Sequence, residues 1–184
     1  ALRIGDDTIG DVEDLLFDEE SWKIRYLVAN TGNWLRRRLI LLAPVSLGPA
    51  TQPRQPIPVH LSKDEIENSP PIERHKPVSM RAEDKITNYY RWPRYWSGLE
   101  YGGGHVAEGS KNPVGELLRP ESEPPPGTED EIESRLRSAN EVLGYKIFGR
   151  DAVFGEIYDF VVNPVTWQII LIVCDTTRWM PGRM

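Results

Sequence analysis

The sequence predicts a mainly β protein: two small β-barrel units with short helices, joined by an irregular linker. Three observations carry that expectation. Residues 9–39 align without a gap on residues 154–184, and each copy shows the short, turn-bounded apolar runs of strands. Sixteen prolines and fifteen glycines gather mostly between the copies, where a packed core is least expected.

The repeat is specific in its residue types. It pairs Gly10 with Gly155, Asp14 with Asp159, Trp22 with Trp167, Ile24 with Ile169, Val28 with Val173, Thr31 with Thr176, Trp34 with Trp179 and Arg38 with Arg183. Between these identities the character holds, as in Val12 with Ile157 and Leu15 with Phe160. Residues 9–17 and 154–162 read as strands that end in the turn formers Asp18-Glu19-Glu20-Ser21 and Asn163-Pro164-Val165-Thr166, so each copy opens with a hairpin. The return strand of the first copy alternates Lys23 and Arg25 with Ile24 and Tyr26, one face buried. In the second copy Ile169-Ile170-Leu171-Ile172-Val173 is apolar on both faces and predicts a strand covered on both sides.

The expected units are residues 1–78, a Pro/Gly/aromatic linker over 79–127, and residues 128–184, which open with a capping box at Thr128-Glu129-Asp130-Glu131 and a helix to about Ser138. Neither helical nor strand periodicity shows in the linker, although the aromatics from Tyr89 to Tyr101 are costly to leave in water and should dock. The second unit ends before the strands that residues 39–61 supply to the first, so a longer chain or a symmetric dimer is expected to cover its sheet edge.

Composition narrows the function classes. A net charge of −6 argues against a basic phosphate-binding face as the main feature. Cys174 is the single cysteine, which rules out an internal disulfide and suits a reducing compartment; it reads as a small core residue. No apolar run approaches the roughly 18 residues of a membrane span, and no leader pattern is visible, although a chain starting at Ala1 gives that observation little weight. A cytoplasmic location is expected, with the inner face of a membrane as the alternative.

No catalytic, cofactor or metal site is expected. Gly10 and Gly155 read as bends or bulges, and Asp14 and Asp159 as strand carboxylates accepting N–H bonds, because acid–base chemistry needs two carboxylates and each copy keeps one. His60, His75 and His105 are scattered, and Asp18-Glu19-Glu20 lacks the alternating oxygen ligands of a calcium loop. Arg36-Arg37-Arg38 reads as a solvated charge cluster. The candidate partner-binding residues are Trp34 and Trp179 in the later turn of each copy, and Tyr89, Tyr90, Trp92 and Trp96 in the linker.

The pattern Gly10-x-Val12-x-Asp14-Leu15-Leu16-Phe17-Asp18, then Trp22-x-Ile24-x-Tyr26-Leu27-Val28 and Asn30-Thr31-x-x-Trp34, resembles the PRC-barrel domain. That β-barrel occurs in the cytoplasmic part of the photosynthetic reaction centre H subunit and in the ribosome maturation factor of the Rim type. The whole is similar to free-standing bacterial proteins with two such domains, with residues 61–70 similar to the helix closing the first barrel and 138–145 to the lead-in of the second. The resemblance implies a non-enzymatic binding or adaptor protein with a protein or nucleoprotein partner. The alternative it implies is an accessory component of a photosynthetic or membrane-associated electron-transfer complex.

Overall fold

A computed structural model of the chain describes residues 1–49, 55–73, 78–96, 135–150 and 152–177. The protein is mainly β, as expected, but among the described residues neither of its two sheets closes into a barrel. The first holds β1 (Leu2–Ile4), β2 (Asp7–Asp18), β3 (Ile24–Asn30), β4 (Leu39–Leu42) and β5 (Ile57–Pro58) in the order β4-β3-β2-β1-β5. A single bridge, Leu47 to Val59, ties the segment after β4 to the end of β5. Short helices follow: α1 (Lys63–Glu67) and α2 (Met80–Tyr90).

The chain then supplies β6 (Leu136–Ser138), α3 (Ala139–Val142), β7 (Lys146–Phe148), β8 (Val153–Val162) and β9 (Ile169–Asp175), and the last three strands form the second sheet. β6 does not join it: it pairs antiparallel with β2 of the first sheet, Leu16 opposite Ser138 and Asp18 opposite Leu136. The helix expected to run to Ser138 is therefore replaced, over its described end, by a strand. The start of that expected helix, at 128–131, lies outside the described residues.

The duplication is realised almost residue for residue. Both hairpins close with the same bonds: the Trp22 N–H donates to the Asp18 carbonyl and the Trp167 N–H to the Asn163 carbonyl, each at 2.8 Å. Both tryptophans take a positive φ, 56° and 58°. Both long strands carry a bulge, between Val12 and Asp14 and between Ile157 and Asp159. A second irregularity lies beside each glycine: Leu2 opposite Gly10 is followed by Arg3 opposite Thr8, and Ile147 opposite Gly155 by Phe148 opposite Val153, where a bulge was expected. Close approach requires the glycines as well: a Cβ on Gly10 would collide with the Asn30 carbonyl, and one on Gly155 would lie 2.5 Å from the Asp175 carbonyl oxygen.

The hairpins also meet each other with local two-fold character. The Ile24 N–H donates to the Trp167 carbonyl at 2.8 Å, and the Ile169 N–H to the Trp22 carbonyl at 2.9 Å, so exchanging the copies maps one bond onto the other. Ile169, Phe160, Val162 and Trp167 of the second copy pack on the first core cluster, built around Leu2, Ile9, Phe17, Ile24, Leu27 and Ile40.

A second cluster lies on the other side of the first sheet: Leu16, Tyr26, Val28, Leu39, Leu41, Ile86 and Leu136, with Tyr90, Trp92 and Tyr95 packed on it. Its cover is α2, a helix where no periodicity was expected. Ser79 caps it by accepting from the Ala82 N–H, and Arg91 ends it in the left-handed region. Its buried side is Glu83, Ile86 and Thr87, and the two polar residues interrupt the apolar face that Ile86 and Tyr90 present to the cluster.

Candidate protein-binding interface

The first unit shows what the repeated residues do when their surroundings are complete. After the β2 bulge, the Asp14 carboxylate accepts from the Leu15 N–H at 2.8 Å, from the Asn140 N–H at 3.0 Å and from the Ser138 hydroxyl. The Asn140 side-chain amide donates to the Glu13 carbonyl at 2.9 Å. Asp14 thus holds the junction where β6 becomes α3, its carboxylate accepting at the N-terminal end of that short helix. Two ion pairs flank the junction, Arg137 with Glu19 at 2.7 Å and Arg135 with Glu20 at 2.9 Å.

The second unit repeats the receiving half of this arrangement. Asp159 follows the β8 bulge and accepts from the Phe160 N–H at 2.7 Å, as Asp14 does from Leu15. Yet Asp159 is exposed, and among the described residues no strand pairs with β8 where β6 pairs with β2. Both aspartates accept the backbone bond expected of them, and both line a cavity of about 190 Å³ between the copies, walled by Val12, Glu13 and Leu15 on one side, Phe160 and Val162 on another, and Ala139, Asn140 and Leu143 on a third. A larger cavity, about 590 Å³, has Lys23 as the only charged residue in its lining. Among the described residues no group of three or more His, Cys, Asp or Glu could hold a metal ion.

The same contrast extends over the sheet face. Leu16, Tyr26 and Val28 are 7%, 2% and 7% exposed beneath α2 and its aromatic tail, whereas their counterparts Val161, Leu171 and Val173 are 39%, 60% and 38% exposed. β9 is therefore not covered on both sides as its sequence predicted. Ile170 and Ile172 of β9 and Tyr158 of β8 are exposed as well. Cys174 is half-buried on this strand rather than a core residue.

The expected partner-binding residues sit elsewhere. Trp34 is half-buried against the first core cluster, and Trp179 lies outside the described residues. Tyr90 and Trp92 stack on each other at 4.3 Å within the second cluster, Trp92 also leaning on Tyr26. Tyr89 is partly exposed, its hydroxyl donating to the Glu65 carbonyl at 2.8 Å, and Trp96 meets Tyr95 edge-on at 4.8 Å. The described part of the aromatic linker thus docks on its own first unit.

That docking is organised by a fully buried carboxylate. Glu83 accepts from the Tyr95 hydroxyl at 2.8 Å and faces Tyr26 across the same space, while the Arg25 guanidinium lies 4.1 Å above the Tyr95 ring. Burial, reinforced by the Glu83 charge, pushes both phenol pKa values far above the ordinary value of about 10. The cluster fastens α2 to β3. No described cavity opens on it, and its residue types, one glutamate between two tyrosines, gave no signal in the sequence.

Comparison with family models, with curated proteins and with solved structures finds no match for this chain. Its class is set by its own architecture: a mainly β, internally duplicated protein in which, among the described residues, one repeat is covered and the other presents an exposed apolar sheet. No helix among the described residues is long and apolar enough to cross a membrane.

Proposed function

We propose that the chain is a non-enzymatic binding or adaptor protein of the tandem PRC-barrel type, and that its partner is a protein held on the uncovered sheet of the second unit. One observation carries the reading: the residues that are buried in the first copy are bare in the second. Val161, Leu171 and Val173 keep the apolar character of Leu16, Tyr26 and Val28 without their cover. Exposed apolar surface of this kind marks an interaction site, and burying side chains of this size stabilises a complex by about 1.5–3 kcal/mol each. Both aspartates retained by the repeat serve backbone geometry, which supports a binding role over acid–base chemistry.

The test is affinity capture from native lysate with the natural chain and with Leu171→Asp side by side. The substitution lies on an exposed strand face, so the circular dichroism spectrum is expected to stay that of the natural chain. The reading requires specific proteins that the natural chain retains and Leu171→Asp loses. Capture of the same set by both, or of none by either, overturns it.

A further inference from the structure

We infer that the edge of β8 left unpaired among the described residues, headed by Asp159, receives an extended polypeptide segment of the pattern Leu-x-Ser-x-Asn that turns into a helix at the serine. The inference rests on the binding reading above and names the partner chemistry at one edge of the same sheet.

The argument is carried by the repeat. In the first unit the receiving groups are the Asp14 carboxylate, the Glu13 carbonyl and the β2 edge from Leu16 to Asp18, and the occupant is Leu136-Arg137-Ser138-Ala139-Asn140. The second unit offers each receiving group in the same order: the Asp159 carboxylate, the Tyr158 carbonyl and the edge from Val161 to Asn163. The bulge that orients Asp14 is reproduced before Asp159, and so is the bond from the following N–H. Charge complementarity selects the occupant. An exposed carboxylate beside an open strand edge suits a serine hydroxyl and the positive end of a helix, the pair that Asp14 already holds. The cavity of about 190 Å³ beside Asp159 and Phe160 is where the first turn of that helix enters, against Asn140 and Leu143. The leucine of the segment, in the place of Leu136, falls on Val161, Leu171 and Val173, the side chains left bare.

The edge also states what it rejects. Glu19, whose N–H donates to the Arg135 carbonyl at 3.1 Å, is replaced by Pro164, which has no N–H, and Glu20 by Val165. The pairing therefore ends one bond earlier than in the first unit, and the arginines that pair with Glu19 and Glu20 have no counterions here. Neutral residues are favoured at those two places of the segment.

The experiment uses the whole chain and a fluorescent synthetic peptide with the sequence of residues 135–146, in which the arginines at 135 and 137 are replaced by threonine. Saturable binding is expected by anisotropy. It should weaken about tenfold or more with Asp159→Asn in the protein, or with Ser138→Ala in the peptide, and hold with Glu67→Gln, an exposed carboxylate on α1 outside the cavity. Hydrogen exchange should show new protection at Val162, whose N–H faces the open edge as that of Phe17 faces β6. No binding, or binding indifferent to Asp159→Asn, overturns the inference; so does a homodimer in sedimentation that Asp159→Asn dissociates, because the edge is then filled by a second copy. If the peptide fails while Leu171→Asp still releases the captured proteins, the edge inference falls and the binding reading stands.

Discussion

Gly10 and Gly155 show how much a single missing side chain settles. Each lets a strand carbonyl, of Asn30 or Asp175, lie where a Cβ would be, and Gly10 also holds a φ of 147°. Gly10→Ala must push β2 from β3 and is expected to cost about 2 kcal/mol or more, measured by urea unfolding. Gly155→Ala should cost less, because the sheet it disturbs is less covered. Glu83 is the residue on which the first unit's second cluster turns: Glu83→Ala leaves the Tyr95 hydroxyl, and its neighbour Tyr26, without their buried carboxylate, a loss of about 3 kcal/mol or more. The same phenols set an alkaline limit. Their pKa values are raised in the fold and ordinary in the unfolded chain, so the stability they contribute is complete below about pH 10 and falls as pH rises beyond it. Tyr26→Phe should flatten that fall, read from unfolding midpoints between pH 9 and 11. The glycines, the aspartates and their backbone bonds were legible in the sequence because the repeat printed them twice. Glu83 was not, since a buried glutamate and threonine on the packed side of α2 interrupt the apolar stripe by which such a helix is recognised.

At the scale of elements, the hairpins could be read locally and the third-party contacts could not. Turn chemistry at Asp18 and Asn163 fixes β2–β3 and β8–β9 within a few residues of sequence. β6 is different: Leu136-Arg137-Ser138 has nothing strand-like in its three residues, and it becomes a strand only because β2, more than a hundred positions away, offers an edge, a carboxylate and two acids for its arginines. Tertiary pairing of this kind overrides local propensity. β9 went astray for the opposite reason, since its apolar pattern is that of a covered strand and the described residues supply no cover for it. The two copies can be compared directly. Tyr26→Ala should destabilise the protein by about 3–5 kcal/mol, because it empties a packed site beneath α2, whereas Leu171→Ala at the matching position should change stability by less than about 1 kcal/mol. Equal costs, by thermal or urea unfolding, would mean that β9 is packed in the free protein and is no binding surface.

For the molecule as a whole, the reciprocal bonds between Ile24 and Trp167 and between Ile169 and Trp22 decide whether the repeats are independent. Those bonds, the burial of Ile169 in the first core cluster and the hold of Asp14 on the lead-in of the second unit all tie the copies together at the side opposite the bare face. Among the described residues the second sheet has three strands and leaves much of its apolar surface exposed, and a unit that small draws its stability from this contact. Ile169→Ala should then cost about 2–5 kcal/mol and lower one common unfolding transition, followed by near-ultraviolet circular dichroism for the tryptophans and by hydrogen exchange at β3 and β9 together. Were the units independent, β9 would lose protection with Ile169→Ala while β3 kept it. A joint transition has a functional consequence: with the first unit anchoring one side of the second, the opposite face can stay bare and rigid at the same time, and a partner then binds without ordering the sheet it binds.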